Sequence, residues 1–393
     1  MKQHGVKRIT ALIAVAASCL MLPGCGDANK PIELERQTQL DVDFTFSQDV
    51  PQMVAVYAAE RMRLQDSQLY KDLLGGPAAE TNADAMGIIS YSEPDEAGHR
   101  VYLNLYDQGN AFGNPFGGEE TGTFTYEIMK QDDFLTDAYR GVSIWCDYPY
   151  ERVEEGEFVS YTLCPDEDLS FATRQEVQDT IIEQFARWEI TLAPATCYSY
   201  TLDVLEAAAE DRKENFGEEL TFTKDDEIYG LSFRQLIDGI PVVDVSWKKI
   251  DGLSQELQGQ LQTLLEAKVT QKGILYMKGV SFLTIGEKTD EVQIVSGETA
   301  LSALDAEYAD QAGTNDLRVA DGQLMYGVFY EDEHEEKLLI KPIWLFTVQY
   351  DKTEEVKDGH SNKTGQTVLA HYTDYVAVDG ETGEVCTCAF LNV

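Results

Sequence analysis

Apolar and polar residues alternate along three short segments in the first third of the chain. The segments cover residues 40–46, 100–106 and 123–128. Successive side chains of a strand point to opposite faces, so this alternation predicts half-buried antiparallel strands. Residues 37–168 are therefore predicted to form a β-rich N-terminal domain.

A helix is predicted where the pattern changes, shortly after residue 168. Thr173 and Glu176 have the spacing of a capping box, in which each side chain binds a backbone N–H group left free at the helix start. Apolar residues then recur at helical spacing: Val177, Ile181, Phe185 and Trp188. Such a stripe predicts an amphipathic helix with one buried face.

Shorter patterns predict the remaining elements of this middle block. Asp238-Gly239 is a favourable turn pair for a hairpin. In order, the predicted elements are a helix at residues 202–215, strands at 229–236 and 240–247, a short helix at 253–265 and strand residues at 274–285.

The last block repeats the plan of the middle one. Ser296 precedes a predicted helix whose apolar face carries Leu301, Leu304 and Tyr308. The predicted elements that follow are strands at 324–330, 338–350 and 372–378, a turn at 379–383 and a closing strand at 384–391. A helix followed by antiparallel strands, twice over, predicts an α+β fold in which each antiparallel sheet is packed by a helix.

A basic segment and an apolar run open the chain. Lys2, Lys7 and Arg8 precede residues 9–22, which are almost wholly apolar. This order is typical of a signal peptide, and the run is too short for an ordinary transmembrane helix.

Residues 22–25 read Leu-Pro-Gly-Cys and resemble the lipobox of bacterial lipoproteins. The resemblance implies cleavage between Gly24 and Cys25 and a diacylglyceryl lipid on the Cys25 thiol. It also implies a signal peptide over residues 1–24, a tether over 25–36 and a lipid-anchored protein on the extracytoplasmic face of the cell membrane. A plain signal peptide with an incidental cysteine and an uncleaved anchor are the alternatives.

Two further motifs support a second resemblance. Residues 231–242 (LSFRQLIDGIPV) resemble the Gly-Ile-Pro-Val strand–turn–strand of PepSY-like modules and thermolysin-type propeptides. Residues 344–348 (WLFTV) and 375–385 (YVAVDGETGEV) are similar to the PepSY ending. The resemblance implies two PepSY-like units, at 169–288 and 289–393, as in uncharacterised lipoproteins of Gram-positive anaerobes. Such modules are mostly binding, inhibitory or regulatory, and the resemblance implies no catalytic residues.

Charge narrows the range of partners. The signal peptide holds three of the 30 basic residues and none of the 70 acidic ones, so the mature chain has 27 basic and 70 acidic residues and a net charge of 27 − 70 = −43. This balance argues against binding nucleic acid or an anionic lipid surface through a basic patch. The partners that remain are the membrane, through the lipid on Cys25, an envelope protein, or a cationic ligand.

The cysteines leave several possibilities open. Besides one in the signal peptide and Cys25, the chain has an odd number: Cys146, Cys164, Cys197, Cys386 and Cys388. At least one thiol must stay unpaired if the others form disulfides. Cys386 and Cys388 would share a strand face, as a metal or redox pair, as two half-buried thiols, or with one of them bridged to an earlier strand.

Candidate catalytic groups are few. The acidic run at residues 331–336 contains His334 but lacks the HExxH motif, and it is interpreted as a solvated hairpin tip. Asp41 and Asp43 share a strand face, either as paired carboxylates or as exposed strand residues. His360 and His371 flank a polar surface loop. No catalytic residue, metal ligand or cofactor is predicted.

These observations predict a lipid-anchored extracytoplasmic protein, a non-catalytic protein-binding or envelope-regulatory module. A solute- or cation-binding lipoprotein is the first alternative. A hydrolase with an unrecognised site is the second.

Overall fold

The chain forms an α+β structure rich in strands, with two sheets here named sheet A and sheet B. Residues 38–393 form one compact unit. The computed structural model describes residues 40–47, 50–63, 68–74, 80–84, 87–91, 99–105, 122–130, 150–154, 157–161, 164, 166–217, 219–244, 263–308, 317–330, 337–357 and 363–386.

Sheet A combines strands from both ends of the chain. Its strands are β1 (Asp41–Val42), β2 (Met53–Arg61), β7 (Tyr150–Glu154), β8 (Glu157–Tyr161), β14 (Leu283–Gln293), β15 (Arg318–Tyr330), β16 (Leu338–Lys357) and β17 (Lys363–Asp379). The order is β1-β15-β16-β17-β8-β7, and β2 pairs with both β16 and β14. Neighbours are antiparallel except β1 with β15 and β17 with β8, which are parallel.

Sheet B is antiparallel throughout its described pairs. Its strands are β3 (Glu80–Asp84), β4 (Gly87–Tyr91), β5 (His99–Leu105), β6 (Phe124–Lys130), β9 (Leu192–Tyr200), β10 (Ile228–Ile237), β11 (Ile240–Pro241), β12 (Leu264–Thr270) and β13 (Gly273–Val280). The order is β11-β10-β12-β13-β6-β5-β4-β3, and β9 pairs with the other edge of β10. The α-helices in the described ranges are α1 (Gln68–Leu74), α2 (Arg174–Ala186), α3 (Leu202–Phe216) and α4 (Gly297–Glu307).

Strands from residues 37–168 are divided between the two sheets. β2 lies between β14 and β16 in sheet A, whereas β6 pairs with β13 and so joins β3–β6 to sheet B. The described strands of this region therefore complete the sheets of the two later blocks and do not form a sheet of their own. Alternation along a strand does not specify which strand becomes its neighbour, so the sequence could not predict this division.

Helix α2 packs on sheet B as predicted. Val177, Ile181 and Phe185 are buried in one apolar cluster with residues of β10 such as Phe233. The predicted capping box is confirmed, since Thr173 accepts a hydrogen bond from the Glu176 backbone N–H and Glu176 accepts from the Thr173 backbone N–H.

Replacing Thr173 with alanine is expected to lower the free energy of unfolding by about 0.5–2 kcal/mol, because the Glu176 N–H loses its partner. The Thr173 backbone N–H and hydroxyl lower the pKa of Glu176. The ionised carboxylate of Glu176 therefore contributes fully to the stability of the fold above its unfolded-state pKa, about 4.3. This contribution is lost as the pH falls through the lower folded-state pKa. Urea unfolding can measure the change, with Thr180→Ala as the control, because that hydroxyl bonds to a helix carbonyl. A midpoint unchanged by Thr173→Ala would show that the helix starts elsewhere.

Helix α4 packs on sheet A, again as predicted. Leu301, Leu304 and Tyr308 are buried in one cluster with Trp344 and Phe346, which lie on the same side of β16. The helix begins after Ser296, whose hydroxyl accepts a hydrogen bond from a backbone N–H of the first turn.

Residues 40–46 pack on this same side of sheet A. Leu40 is buried, and its N–H donates to Asp305 of α4 at 3.1 Å. The ring of Phe46 packs edge-on against Trp344, 5.2 Å between centroids, directly over Gly297, where any side chain would collide with it. The described chain therefore begins beside α4.

Helix α3 covers the opposite face of sheet B from α2. Val204 and Leu205 pack against Tyr200 and Ile228, whose side chains point away from α2. The carboxylate of Glu227 accepts a hydrogen bond from the N–H of Leu202 at the start of α3.

Pro342 marks the point where β16 changes its partner. On one edge, residues 338–340 of β16 pair with β2 and residues from 343 onward pair with β17, while β15 occupies the other edge. Proline has no N–H to donate to a ladder. Its carbonyl accepts from the N–H of Gly380, so the missing donor falls on the edge where one partner ends and the next begins.

The hairpin turn predicted at Asp238-Gly239 is confirmed. Both residues have positive φ, 51° and 80°, as a tight two-residue hairpin turn requires. The returning strand β11 covers only Ile240–Pro241, shorter than the predicted 240–247, of which residues 245–247 lie outside the described ranges. The helix predicted at 253–265 is wrong at its end, where Leu264 and Leu265 belong to β12, and its residues 253–262 are not described.

Buried hydrogen bonds join the two sheets where the chain passes from β13 to β14. The side-chain amide of Gln235 on β10 donates to the carbonyl of Leu283 at 2.9 Å and accepts from its N–H at 3.1 Å. Just beyond the hairpin, Val242 and Val243 are fully buried in the core of sheet A, and the N–H of Val243 donates to Tyr326 of β15. Sheet B is therefore held to sheet A through β10 and its hairpin.

Candidate functional site

A polar cluster lies where the hairpin of sheet B meets sheet A. Arg234 comes from β10 and Asp244 from the segment that leaves the hairpin. The guanidinium Nε lies 2.8 Å from Oδ2 of Asp244, and Nη1 lies 3.5 Å from Oε1 of Gln323 on β15. The Nε–H bond of Arg234 does not point at Oδ2 of Asp244, so this contact is an ion pair without an aligned hydrogen bond. We name Arg234, Asp244, Gln323, Tyr375 and Tyr198 the junction cluster.

Asp244 is the most buried member of the ion pair. Its side chain is 9% exposed, whereas that of Arg234 is 27% exposed. Oδ1 of Asp244 has no hydrogen-bond partner in the described structure. A buried charged oxygen without a donor is costly, by about 1–3 kcal/mol or more, and this oxygen has almost no surface through which another molecule could reach it.

Two tyrosines complete the cluster. Burial raises the pKa of Tyr375 on β17, the charge of Asp244 raises it further, and Arg234 opposes the rise. Tyr198 on β9 also contributes to the raised pKa of Tyr375, so the two phenols are within electrostatic reach of each other. Tyr375 is therefore a neutral hydroxyl at physiological pH, able both to donate and to accept a hydrogen bond.

Local structure explains how β10 presents Arg234 here. Phe233 points into the apolar core under α2, so Arg234, its neighbour, points to the opposite face of the sheet. The pairing of β10 with β9 shifts register between Ser232 and Phe233, a β-bulge next to Arg234. The extra residue of this bulge, Ala195, lies on β9, so the bulge bends the strand that runs beside Arg234.

A second set of polar contacts at the junction serves the fold. The hydroxyl of Tyr57 on β2 donates to the carboxylate of Asp238 in the hairpin turn. Burial, with the nearby charge of Asp238, raises the pKa of Tyr326, whose hydroxyl donates to the carbonyl of Ala55 at 3.1 Å. Each of these groups has its partner within the protein.

The turn at residues 379–383 is organised by Asp379. One carboxylate oxygen accepts from the N–H groups of Glu381 and Thr382, and the other accepts from Lys341 at 3.1 Å. Burial raises the pKa of the neighbouring Cys386 to about 12, with a smaller contribution from Asp379. Cys386 is thus held as a thiol, which is a poor nucleophile.

The residues singled out in the sequence have different outcomes. Cys25, Gly24, Cys146, Cys388, His334, His360 and the acidic run at 331–336 lie outside the described ranges. Cys164, Cys197 and Cys386 form no disulfide. Asp41 and Asp43 are exposed, and Asp43 forms an ion pair with Arg318 at 3.3 Å. Of the predicted closing strand at 384–391, residues 384–386 are described. Val385 forms a single β-bridge with Val378.

Sequence reasoning missed the junction cluster, although its signal was present. Arg234 lies within the motif at 231–242 and Asp244 lies just after it. Both are charged residues among apolar strand residues, and charged residues are buried only when they are paired. The pairing itself depends on strands that are remote in sequence.

No protein-family model matches the chain, and no curated protein matches it. Among solved structures, an uncharacterised protein from Eubacterium rectale is similar, with a TM-score of 0.54 and 17% sequence identity. The similarity covers 88% of this chain and 89% of that one. At this identity the likeness shows the fold alone. Because it covers most of the chain, it extends over both sheets.

Within the described ranges, no three side chains of the metal-binding types are grouped closely enough to hold an ion. In the same part of the chain, no helix has the length and apolar character needed to cross a membrane.

Proposed function

We propose that this chain is a lipid-anchored extracytoplasmic binding protein whose recognition site is the junction cluster. The lipobox at residues 22–25 supports the anchor. Leu40, the first described buried residue, lies fifteen positions after Cys25 (40 − 25 = 15). An extended chain of that length reaches about 50 Å, enough to hold the folded unit clear of lipid headgroups.

The chemistry of the junction cluster supports binding over catalysis. General acid–base catalysis needs a group that titrates near the working pH. Arginine stays protonated under all physiological conditions, and the raised pKa of Tyr375 keeps its hydroxyl neutral. The cluster offers a fixed ion pair, an amide and the neutral phenol of Tyr375, which orient a ligand by hydrogen bonds. This fixed set of hydrogen-bonding groups is the observation that carries the proposal.

Two PepSY-like units, as regulatory or partner-binding modules, belong to the same proposal. The support is that α2 and α4 each pack an apolar stripe against antiparallel strands of a sheet. The motif at 231–242 also has a defined place, because its hairpin joins sheet B to sheet A beside the junction cluster. A module of this kind would couple ligand binding to the relative positions of two sheets.

Among the alternatives, a solute-binding lipoprotein is favoured by the accessible polar groups of the junction cluster, the partly exposed side chain of Arg234 and the exposed side chain of Gln323. A cation gains little beside Asp244, because the repulsion of the Arg234 guanidinium, whose Nε lies 2.8 Å from Oδ2, offsets the attraction of the carboxylate. The cost of removing the cation from water remains. Cation binding at the junction cluster is therefore disfavoured.

Photocrosslinking in living cells tests whether the junction cluster is a recognition site. A photoreactive amino acid at position 323, which is exposed and beside Arg234, is expected to form covalent adducts on the anchored protein. The matched control is position 302, exposed on α4 on the other side of sheet A, where no adduct is expected. A discrete mass shift identifies a protein partner and a heterogeneous one identifies an envelope polymer. Adducts at neither position, or equally at both, contradict the proposed site.

A further inference from the structure

Residues 40–46 lie along one edge and one face of sheet A and are here named the strap. The even-numbered positions of the strap are apolar and pack on the α4 side of the sheet, whereas the odd-numbered positions are polar and exposed. Two backbone N–H groups, those of Asp41 and Asp43, donate to the carbonyls of residues 317 and 319. The strap is therefore an edge element that is joined to β15 by few hydrogen bonds.

Two glycines shape the surface beneath the strap. A Cβ atom at Gly297, the first residue of α4, would lie 2.5 Å from the ring of Phe46. A Cβ atom at Gly322 would lie 2.7 Å from the ring of Phe44. The two phenylalanine rings also pack edge-on against each other, with 4.9 Å between their centroids. Because any side chain at either glycine would exclude a ring, the strap has one defined docked position.

The docked strap is nevertheless less buried than the sheet beneath it. Leu40 is buried, but the three apolar side chains that follow it in the strap are partly exposed. Fixing each residue of the strap costs conformational entropy, and half-buried side chains with few hydrogen bonds offset this cost by a small margin. Regions with few buried contacts open locally, at a lower free energy than global unfolding requires. The strap is such a region.

The strands beneath the strap are paired without it. β16 lies between β15 and β17, and both ladders are made by residues outside the strap. Leu301 and Leu304 of α4 pack in the same cluster as Trp344 of β16. After the strap, the chain is held again at Gln52, whose carbonyl accepts from the N–H of Ile294 at 2.9 Å. Release of the strap would thus leave the sheet and its helix in place.

We infer that the strap is a detachable element that switches the protein between a short and a long tether. The inference rests on the proposed function, because it takes Cys25 to be the lipid anchor. Release moves the first fastened residue from Leu40 to Gln52, which frees 12 residues (52 − 40 = 12). Twelve extended residues add about 40 Å to the reach of the tether. A pull between the membrane and a ligand at the junction cluster favours the longer of the two states.

Hydrogen–deuterium exchange of the full chain in detergent tests the switch. The N–H groups of Asp41 and Asp43 are expected to exchange about tenfold or more faster than those of residues 343–348 in β16, yet about tenfold or more slower than in an unfolded peptide. Equal rates in the strap and β16 would show that the strap leaves only on global unfolding. Exchange at the unfolded rate would show that it does not dock. Either result overturns the inference.

This measurement does not depend on the lipid. The exchange pattern is expected to be the same in the Cys25→Ala protein, so a strap that fails the test leaves the anchor and the junction cluster as they stand. Loss of the anchor is detected separately, by the location of that variant.

Substitutions separate docking of the strap from the stability of the sheet. Phe46→Ala is expected to raise exchange in the strap about tenfold or more and to leave β16 unchanged. Thr45→Ala is the matched control, because that neighbouring side chain is exposed and its loss should change neither rate. Gly297→Ala should release the strap while favouring α4, since alanine is the better helix former. Exchange that rises in β16 together with the strap, or a Phe46→Ala protein that does not fold, overturns the inference.

Discussion

The Cys25→Ala protein is expected in the culture medium or as an unprocessed precursor, with no lipid attached and no mature membrane-bound form. The thiol of Cys25 is the only acceptor that the lipobox at 22–25 provides. Two acyl chains anchor a protein stably, because each buried methylene contributes about 0.8 kcal/mol, whereas an unlipidated tether contributes almost nothing. The expected effect is therefore a nearly complete change of location.

Cell fractionation, labelled palmitate and intact mass measure this change together. The unchanged protein should partition with membranes and have the mass of a chain that begins at Cys25 and carries lipid. Cys197→Ala is the matched control, because it makes the same substitution at a half-buried thiol of the folded unit. Palmitate that still enters the Cys25→Ala protein, or a mass that begins at another residue, would refute the lipobox assignment.

Gln235→Glu is expected to destabilise the protein strongly at pH 7 and only weakly near pH 4. Gln235 is 5% exposed, and its amide donates to the carbonyl and accepts from the N–H of Leu283. An ionised glutamate keeps the acceptor, loses the donor and buries a charge, at a cost of about 3 kcal/mol or more. A protonated carboxyl group both donates and accepts, and so it can replace the amide.

The sign of the pH dependence follows from the folded-state pKa of the new carboxyl group, which burial raises above its unfolded value of about 4.3. Below the unfolded pKa the group is protonated in both states, and the variant should be nearly as stable as the unchanged protein. The deficit grows as the pH rises from there to the folded pKa, and it is constant above that pH.

Urea unfolding at both pH values, relative to the unchanged protein at the same pH, measures this deficit. Gln52→Glu is the control, because that residue is exposed and the same change should cost little at either pH. Gln235→Leu removes both hydrogen bonds and should cost about 1–3 kcal/mol for each buried group at either pH. A Gln235→Glu deficit that is the same at pH 4 and pH 7 would show that the bond to Leu283 does not hold the sheets together.

Local patterns predicted the elements whose determinants lie within a few residues. The capping box of Thr173 and Glu176, the stripe of Val177 to Phe185 and the Asp238-Gly239 turn each depend on groups less than fifteen positions apart. Their conformations are set by backbone geometry and by the need to bury one face, so the sequence specifies them directly.

The junction cluster could not be predicted in this way. Gln323 is 89 positions from Arg234, and the two meet only because β10 and β15 belong to sheets that the hairpin joins. Alternating residues define which face of a strand is buried, but many strands satisfy the same pattern. The choice among them is made by packing over the whole chain.

The sequence by itself therefore determined helices α2, α3 and α4, the Asp238-Gly239 turn and the alternation of strands towards an α+β fold, while the export signal and lipobox stay predictions. Only the tertiary structure decided that strands before residue 168 enter both sheets, that Gln235 joins β10 to Leu283, and that Arg234 and Asp244 pair beside Tyr375. The physical reason is one of range. Backbone conformation and amphipathic burial act over a few residues, whereas strand partners and buried ion pairs are fixed by contacts between segments that the chain brings together only on folding.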